Sequence, residues 1–171
     1  MSEKFIEFTL IYNRYKTKVF NYVLKMVNDR NLTEDIVQNI FLKFYENLNK
    51  IENKNSCGFW IFKTARNEVY QHYRSKNIEK NKLQFQPEEE MKHNSLGDAY
   101  EEFEIQEFKT LILNELDKMA VEQKEVYYLK EYGGFSYKEI AQMMEIDENL
   151  VKSRLYKVRQ KLIKHISKMI K

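Results

Sequence analysis

Apolar residues in the first part of the chain recur at steps of three and four, the spacing that places side chains on one face of an α-helix. Three stripes follow this rule: Phe5, Phe8, Tyr12, Tyr15, Val19, Tyr22 and Met26; then Ile36, Val37, Ile40, Phe41, Phe44, Tyr45 and Leu48; then Trp60, Ile61, Ala65, Val69 and Tyr73. They predict a first helix ending near Asn28, a second over 32–48, and a third from Phe59 that fades after Arg74. Asn31 and Glu34 have the spacing of a capping box at the start of the second helix.

Helical spacing resumes with Ile105, Phe108, Leu111, Ile112 and Leu116, and a further helix is predicted from about Val121 to Tyr132, ended by Gly133-Gly134. Ser136 and Glu139 form a second capping-box pattern that opens a short helix. Glu145-Ile146-Asp147 then predicts a turn, with Asp147 capping a long basic helix. A short helix, a tight turn and a long helix are typical of a helix-turn-helix, whose second helix enters the major groove of DNA.

Residues 77–104 lack a sustained period and contain Pro87, Gly97 and a run of three glutamates over 88–90. This composition predicts a flexible acidic linker. The expected organisation is therefore all-α, with two small helical domains over 1–76 and 105–171 joined by that linker.

Charge is unevenly distributed along the chain, although the net charge is only +3. Residues 148–171 hold eight Lys and Arg against one acid, whereas residues 79–107 hold nine acids against three lysines. A basic end and an acidic middle suggest a nucleic-acid contact and a solvated spacer. The abundance of Lys, Asn and Ile is also what an AT-rich genome produces, so it carries no functional weight.

Several function classes find no support in the residues. Cys57 is the only cysteine, which excludes an internal disulfide and a cysteine-based zinc site, and the three histidines lie far apart. No paired-carboxylate constellation near a histidine points to a nuclease or another enzyme. Apolar runs are far shorter than the ~20 residues of a membrane span, and the N-terminus opens an amphipathic segment rather than a signal peptide. We expect a cytoplasmic protein without metal, cofactor or small-molecule substrate.

The helical geometry of the basic helix separates two faces. Val151, Leu155, Val158 and Leu162 should face the core, and the residues pointing away are Asn149, Ser153, Tyr156, Lys157 and Gln160. Lys152 and Arg159 lie on one flank, and Arg154 and Lys161 on the other. The arrangement suits base contacts in the centre and phosphate contacts at the edges. The alternative is a solvated, lysine-rich surface helix.

The first half offers a second group of polar candidates. Helix 32–48 exposes Glu34, Asp35, Gln38, Asn39 and Lys43, a face that could also be merely solvated. The third helix mixes aromatic residues with Lys63, Arg66, Asn67, His72, Arg74 and Lys76, a combination that can hold an unstacked strand. The loop over 52–56 could surround a flipped base. Trp60 could instead belong to the core.

Four segments, in order, resemble sigma-70-type factors of bacterial RNA polymerase. Residues 31–41 (NLTEDIVQNIF) and 60–67 (WIFKTARN) resemble the region 2 signature and the segment that follows it. Residues 134–141 (GFSYKEIA) and 151–159 (VKSRLYKVR) resemble the region 4 helix-turn-helix. The length and the missing middle region resemble the extracytoplasmic-function (group 4) subfamily.

This resemblance implies a promoter-specific subunit that binds core polymerase, recognises the −35 and −10 elements and melts DNA by binding energy, without catalytic residues. It implies contact with the β′ clamp coiled coil through Glu34, Asp35, Gln38 and Phe41, contact with the β flap, and an acidic linker directed toward the RNA exit path. Residues implied at the −10 element are Asn53, Lys54, Asn55, Ser56, Lys63, Arg66, Asn67 and Arg74. Those implied at the −35 element are Asn149, Lys152, Ser153, Arg154, Tyr156 and Lys157. An anti-sigma partner is also expected.

Two departures from the family pattern stand out. Thr33 replaces a usual alanine, which is harmless at a helix start, and Asp147-Glu148-Asn149 stands where Ser or Thr often begins the recognition helix. The second departure bears on which −35 sequence is read. The alternative function is a stand-alone helix-turn-helix regulator, which would explain residues 105–171 but leave the segments around Glu34–Phe41 and Trp60–Asn67 without a reason.

Overall fold

The computed structural model describes residues 2–82 and 100–169, and side chains are described for 2–77 and 106–169. Within these ranges the chain is helical and contains no strand, which confirms the all-α prediction. The helices are α1 (Glu3–Val27), α2 (Arg30–Asn47), α3 (Cys57–Lys82), α4 (Tyr100–Asp117), α5 (Val121–Glu131), α6 (Tyr137–Met144) and α7 (Glu148–Met169), with short 3₁₀ turns at Leu48–Lys50 and Lys54–Ser56. None of the helices in the described ranges has the length and apolarity to cross a membrane.

The junction between α1 and α2 is capped by Asp29, not by Asn31 as predicted. The Asp29 side chain accepts a hydrogen bond from the Leu32 amide at 3.0 Å, so α2 begins at Arg30. Asn28 ends α1 in the left-handed conformation. Two residues thus suffice to reverse the chain, and Glu34 pairs with Arg30 at 3.2 Å instead of closing a capping box.

Helix α3 is longer than the sequence pattern indicates at both ends. It begins at Cys57 rather than Phe59 and continues to Lys82 rather than fading after Arg74. Helix α4 likewise begins at Tyr100. Residues 77–82 and 100–104 were expected in the linker but are helical. The helical backbone thus extends beyond the apolar stripes from which the helix ends were predicted. The rest of the predicted linker, 83–99, lies outside the described residues.

The first three helices pack around a shared apolar centre that follows the predicted stripes. Its fully buried members include Val19, Tyr22, Ile40, Phe44, Ile61 and Val69. The N-terminal part of the α1 stripe behaves differently, since Phe5 is 47% exposed. A segment expected to face the core therefore leaves apolar surface open on α1.

Helices α4 to α7 build the second half, with Leu116, Leu129, Ile140, Leu155 and Val158 fully or almost fully buried. The two halves are packed against each other, and their buried residues form one continuous core. An aromatic contact joins them directly: the Phe62 ring of α3 packs edge to face on Phe135, which precedes α6, with 4.9 Å between ring centroids.

Candidate nucleic-acid interface and polymerase-binding face

The helix-turn-helix is formed by α6, a short turn and α7. The predicted capping box is present: the Glu139 amide donates to Ser136 Oγ at 3.1 Å, and Glu139 Oε2 accepts from the Ser136 amide at 2.8 Å. Glu145 adopts a left-handed conformation at φ 56° and ends α6. Asp147 Oδ1 then accepts from the Asn149 amide at 2.7 Å, which confirms Asp147 as the cap of α7.

Helix α7 has the two faces that its sequence predicts. Its apolar side is buried within the second half and consists of Val151, Leu155, Val158 and Leu162. Asn149, Ser153, Tyr156, Lys157 and Gln160 are exposed, and Tyr156 is 65% exposed although it is aromatic. A large aromatic side chain held out in solvent between polar neighbours provides a contact surface rather than core.

The flanks of α7 are less free than its centre. Lys152 lies 3.1 Å from Glu148 and Arg159 lies 3.0 Å from Glu131 on α5, while Arg154 is half-buried. The hydrogen bond that Arg159 donates to Glu131 is the largest influence on the pKa of the Arg159 guanidinium and raises it. Arg159 is thus committed to an intramolecular pair, whereas Lys161 on the other flank is exposed.

The loop before α3 is ordered by its own side chains. Asn53 Oδ1 accepts from the Asn55 amide at 3.0 Å, and Ser56 Oγ donates to the Asn53 carbonyl at 2.6 Å. Lys54 pairs with Glu7 of α1 at 2.8 Å. Asn55 is exposed at the tip. The loop is consequently preorganised, with its amide and hydroxyl groups partly used in holding its shape.

Lys63, Arg66, Asn67 and Arg74 fall on one side of α3, at the three- and four-residue spacing of a helix face. Asn67 and Arg74 are exposed, whereas the Arg66 side chain is only 20% exposed. The Arg66 guanidinium lies over the Tyr70 ring at 4.4 Å, and its Nε lies 2.8 Å from Oε1 of Glu125 on α5. The structure therefore gathers these candidates but places part of their face under the second half.

Trp60 packs against Phe44 at 5.7 Å between ring centroids and is partly buried. This position favours the core interpretation of Trp60. Its ring fixes the first turns of α3 against α2.

The predicted polymerase-binding residues lie along α2. Glu34, Asp35 and Gln38 are exposed, but Phe41 is only 4% exposed and packs on Tyr12 edge to face at 4.8 Å. Phe41 lines an open groove of about 480 Å³ between α1 and α2, together with Phe5, Phe8, Tyr12, Phe20, Glu34, Val37, Gln38, Leu42 and Tyr45. The lining of this groove is mostly apolar and includes the polar Glu34 and Gln38, which gives it the character of a protein-binding surface.

Glu125 is the residue that the sequence analysis missed. It is completely buried, and its carboxylate meets Tyr22, Arg66 and Tyr70 from the first half. The available signal was its register: Glu125 precedes Val126 and lies one turn before Leu129, both fully buried, so the acid occupies a core-facing position of α5.

Comparison with known families matches both halves of the chain. The family model described as Sigma-70 region 2 matches residues 11–78, and that described as Sigma-70, region 4 matches residues 109–162. The chain is 30% identical over 156 residues to the ECF RNA polymerase sigma factor SigM of Bacillus subtilis, covering 89% of this chain and 90% of the relative. The chain belongs to the ECF sigma factors. A second relative, the ECF RNA polymerase sigma factor SigX of the same organism, is 23% identical over 174 residues, with 93% and 83% covered.

Solved structures share the fold of this sigma factor. The sigma factor RpoE from Bartonella quintana, solved with the anti-sigma factor NepR, superposes with a TM-score of 0.74 at 21% identity, covering 94% of this chain and 96% of that chain. CnrH, solved with the cytosolic domain of CnrY, gives a TM-score of 0.62 at 16% identity, with 94% and 87% covered. Because the region 2 match explains the segments around Glu34 and Trp60, the stand-alone regulator is not supported.

Proposed function

We propose that this sigma factor directs promoter-specific initiation by binding core RNA polymerase, recognising the −35 and −10 elements and melting the promoter. The observation that carries the proposal is the separation of two nucleic-acid faces on one chain. The exposed face of α7 suits duplex DNA, and the basic and aromatic face of α3 with its adjoining loop suits an opened strand. Both act by binding, so catalytic groups have no part in the proposal.

Recognition of the −35 element is assigned to α7. Asn149, Ser153, Tyr156 and Lys157 are exposed on its outer side, where amide, hydroxyl and ammonium groups can reach base edges in the major groove, and the exposed Lys152 lies on one flank of this face. Arg154 lies at the flank of this face and suits a phosphate contact. The acid at Glu148 is compatible with the DNA-facing helix start, because it pairs with Lys152 and lies at the positive end of the α7 dipole.

Binding of the −10 element is assigned to the loop residues Asn53, Lys54, Asn55 and Ser56 and to the α3 residues Lys63, Arg66, Asn67 and Arg74. A preorganised loop lowers the entropic cost of holding an extruded base. The cationic groups of α3 would bind the backbone of the separated strand, and Tyr70 on the same face offers a ring for stacking.

Core polymerase is assigned to the α2 face formed by Glu34, Asp35, Gln38 and Phe41, with the β′ clamp coiled coil as the partner and the β flap as a contact of the second half. The groove beside Phe41 supports this assignment, since it presents apolar surface next to exposed acids. An anti-sigma factor is proposed as a further partner; its support is that RpoE and CnrH, which share this fold, were each solved with a protein partner.

Transcription from a promoter library with purified core polymerase tests the proposal. We expect products that depend on added sigma factor and start at a subset of templates sharing two upstream elements. The same duplexes should bind weakly to the sigma factor without core polymerase. No sigma-dependent product from any template would overturn the proposal, and tight promoter binding by the chain alone would favour a stand-alone regulator.

A further inference from the structure

Three groups of the first half converge on one carboxylate of the second half. Tyr22 donates to Glu125 Oε1 at 3.1 Å, Tyr70 donates to Glu125 Oε2 at 2.6 Å, and Arg66 Nε lies 2.8 Å from Oε1. Glu125 is 0% exposed and Tyr22 is 0% exposed. The Glu125 carboxylate is therefore held between α1, α3 and α5, at the boundary between the two halves.

Burial of the Glu125 carboxylate would be unfavourable in the second half alone, because its partners all lie in the first half. A buried carboxylate without partners loses its hydration, so its burial requires an opposing charge and hydrogen-bond donors. The three groups described above supply them, and all three lie on α1 or α3. The arrangement in which the two halves are packed together is here called the closed form. Glu125 is stabilised by its partners only in this form.

The same contact removes Arg66 from solvent. Arg66 belongs to the α3 face proposed to bind the −10 strand, yet in the closed form its guanidinium is beside Glu125 and its side chain is only 20% exposed. The Phe62–Phe135 contact lies on the same side of α3 and packs the turn before α6 over it. A strand cannot reach this part of α3 until the halves separate.

We propose that Arg66, Tyr22 and Tyr70 form an anion-binding site that holds the Glu125 carboxylate in the closed form and a phosphate of single-stranded DNA in an open form, in which the two halves have separated. Glu125 then acts as an internal competitor of the DNA backbone. The site keeps a free sigma factor from binding an opened strand and releases it when the second half moves away. This inference rests on the proposed function, because it assigns Arg66 to DNA.

The cost of burying Glu125 keeps the closed form reversible. Removal from water raises the pKa of the Glu125 carboxyl, and the opposing effect of the Arg66 charge is smaller. The loss of hydration therefore opposes the attraction between Glu125 and Arg66, as expected for many buried ion pairs. A DNA phosphate stays charged and lies on a flexible strand, so it can take the place of the Glu125 carboxylate when the halves separate.

Glu125→Gln tests the inference in the full chain, with Glu122→Gln as the matched control. Both substitutions remove one negative charge from α5, but Glu122 is exposed whereas Glu125 is buried. Small-angle X-ray scattering should give a radius of gyration near that of a compact chain of this length, about 15 Å, for the wild type and Glu122→Gln. Glu125→Gln should increase it by several ångströms, and Tyr70→Phe, which removes a single hydroxyl, should increase it less.

Binding of a short fluorescent single-stranded DNA of mixed sequence gives the second measurement. If the closed form predominates roughly tenfold, Glu125→Gln should tighten binding by up to about tenfold, beyond the smaller gain of Glu122→Gln. Adding Arg66→Gln to Glu125→Gln should abolish the gain and leave the chain expanded. Circular dichroism confirms that each variant remains helical, and Tyr70→Phe carries the test if Glu125→Gln unfolds.

Equal radii and equal DNA affinities for Glu125→Gln and Glu122→Gln would overturn the inference. An expanded Glu125→Gln chain whose DNA affinity only equals that of Glu122→Gln would overturn the shared anion site. Transcription with core polymerase separates this failure from that of the proposed function. If sigma-dependent products form but Glu125→Gln changes neither the radius of gyration nor the DNA affinity, the inference alone is contradicted. If Glu125→Gln changes both quantities but no template gives a product, the proposed function is contradicted.

Discussion

Gly133 and Gly134 follow α5 as neighbours, but a side chain meets a different obstacle at each. A Cβ on Gly133 would lie 2.6 Å from the Leu129 carbonyl oxygen and 2.5 Å from the Phe135 ring. Gly134 has open space around it but adopts φ +70°, where a Cβ is strained. One glycine allows a close approach, and the other supplies the left-handed end of the helix.

We expect both alanine substitutions to lower the free energy of unfolding, Gly133→Ala by about 1–3 kcal/mol through overpacking and Gly134→Ala by roughly 1–2 kcal/mol through backbone strain. Asparagine separates the causes, because it tolerates the left-handed region. Gly134→Asn should recover much of the loss in urea denaturation, whereas Gly133→Asn should not. Recovery at both positions would contradict the steric explanation for Gly133.

Lys157 is the residue on α7 whose role can be decided by a single substitution. If its ammonium contacts a base edge, Lys157→Ala should relax selectivity for the upstream element by ~1–3 kcal/mol. Lys164→Ala, an exposed lysine about two turns further along the helix, is the control and should weaken binding to all templates equally. Holoenzyme binding to promoters with altered −35 elements measures both. A uniform loss for Lys157→Ala would reassign it to a phosphate.

At the scale of the element, the start of α6 fixes the position of the helix-turn-helix. Both reciprocal bonds of the capping box are made between Ser136 and Glu139. The left-handed Glu145 then ends α6 and turns the chain into α7. Local side-chain chemistry thus sets the length of α6 and the point where α7 begins.

Ser136→Ala should lower the free energy of unfolding by about 1 kcal/mol, because an amide at the helix start loses its acceptor. Promoter selectivity should stay unchanged, since Ser136 is not on the outer face of α7. Ser153→Ala is the reciprocal control: it lies on that face, so selectivity should change while the stability change stays within about 0.5 kcal/mol. Thermal unfolding measures the change in stability, and promoter binding measures the change in selectivity. An altered selectivity in Ser136→Ala would contradict the assignment of Ser136 to stability alone.

At the scale of the whole molecule, buried tyrosines connect the helices. Removal from water raises the pKa of the Tyr22, Tyr70, Tyr73 and Tyr128 phenols, and for Tyr73 the pKa reaches about 12. Tyr73 donates a hydrogen bond to the Met26 carbonyl, and Tyr22 and Tyr70 donate to Glu125. The folded chain therefore prefers these phenols neutral.

The sign of the pH effect follows from these shifts. A group whose pKa is higher in the folded chain contributes stability below its unfolded pKa and loses it as pH rises through the folded value. We expect the free energy of unfolding to fall as pH rises above about 10, with the Tyr73 contribution lost by about pH 12. Denaturation at alkaline pH, followed with tyrosinate absorbance, checks this, and Tyr73→Phe should reduce the loss. Unchanged stability up to pH 12 would contradict it.

Local patterns in the sequence are sufficient for much of this molecule. Helix existence, the α6 capping box and the buried face of α7 follow from spacing and side-chain chemistry that act within a few residues. The same holds for the exposed Asn149, Ser153, Tyr156 and Lys157, because a helix with one apolar side must turn its other side outward. Errors occurred at helix ends, where the cap proved to be Asp29 and where α3 continued beyond its apolar stripe.

Only the tertiary structure decided what happens between the halves. Glu125 reads as an ordinary acid of α5, and Arg66 as a free cation of α3, until packing places them 2.8 Å apart in a buried setting. The physical reason is distance along the chain: the register of a helix determines which side faces inward, but not which distant helix it meets. The sequence by itself thus determined the elements and the two faces proposed to bind nucleic acid, and the packing of α5 against α1 and α3 decided which of those faces is covered.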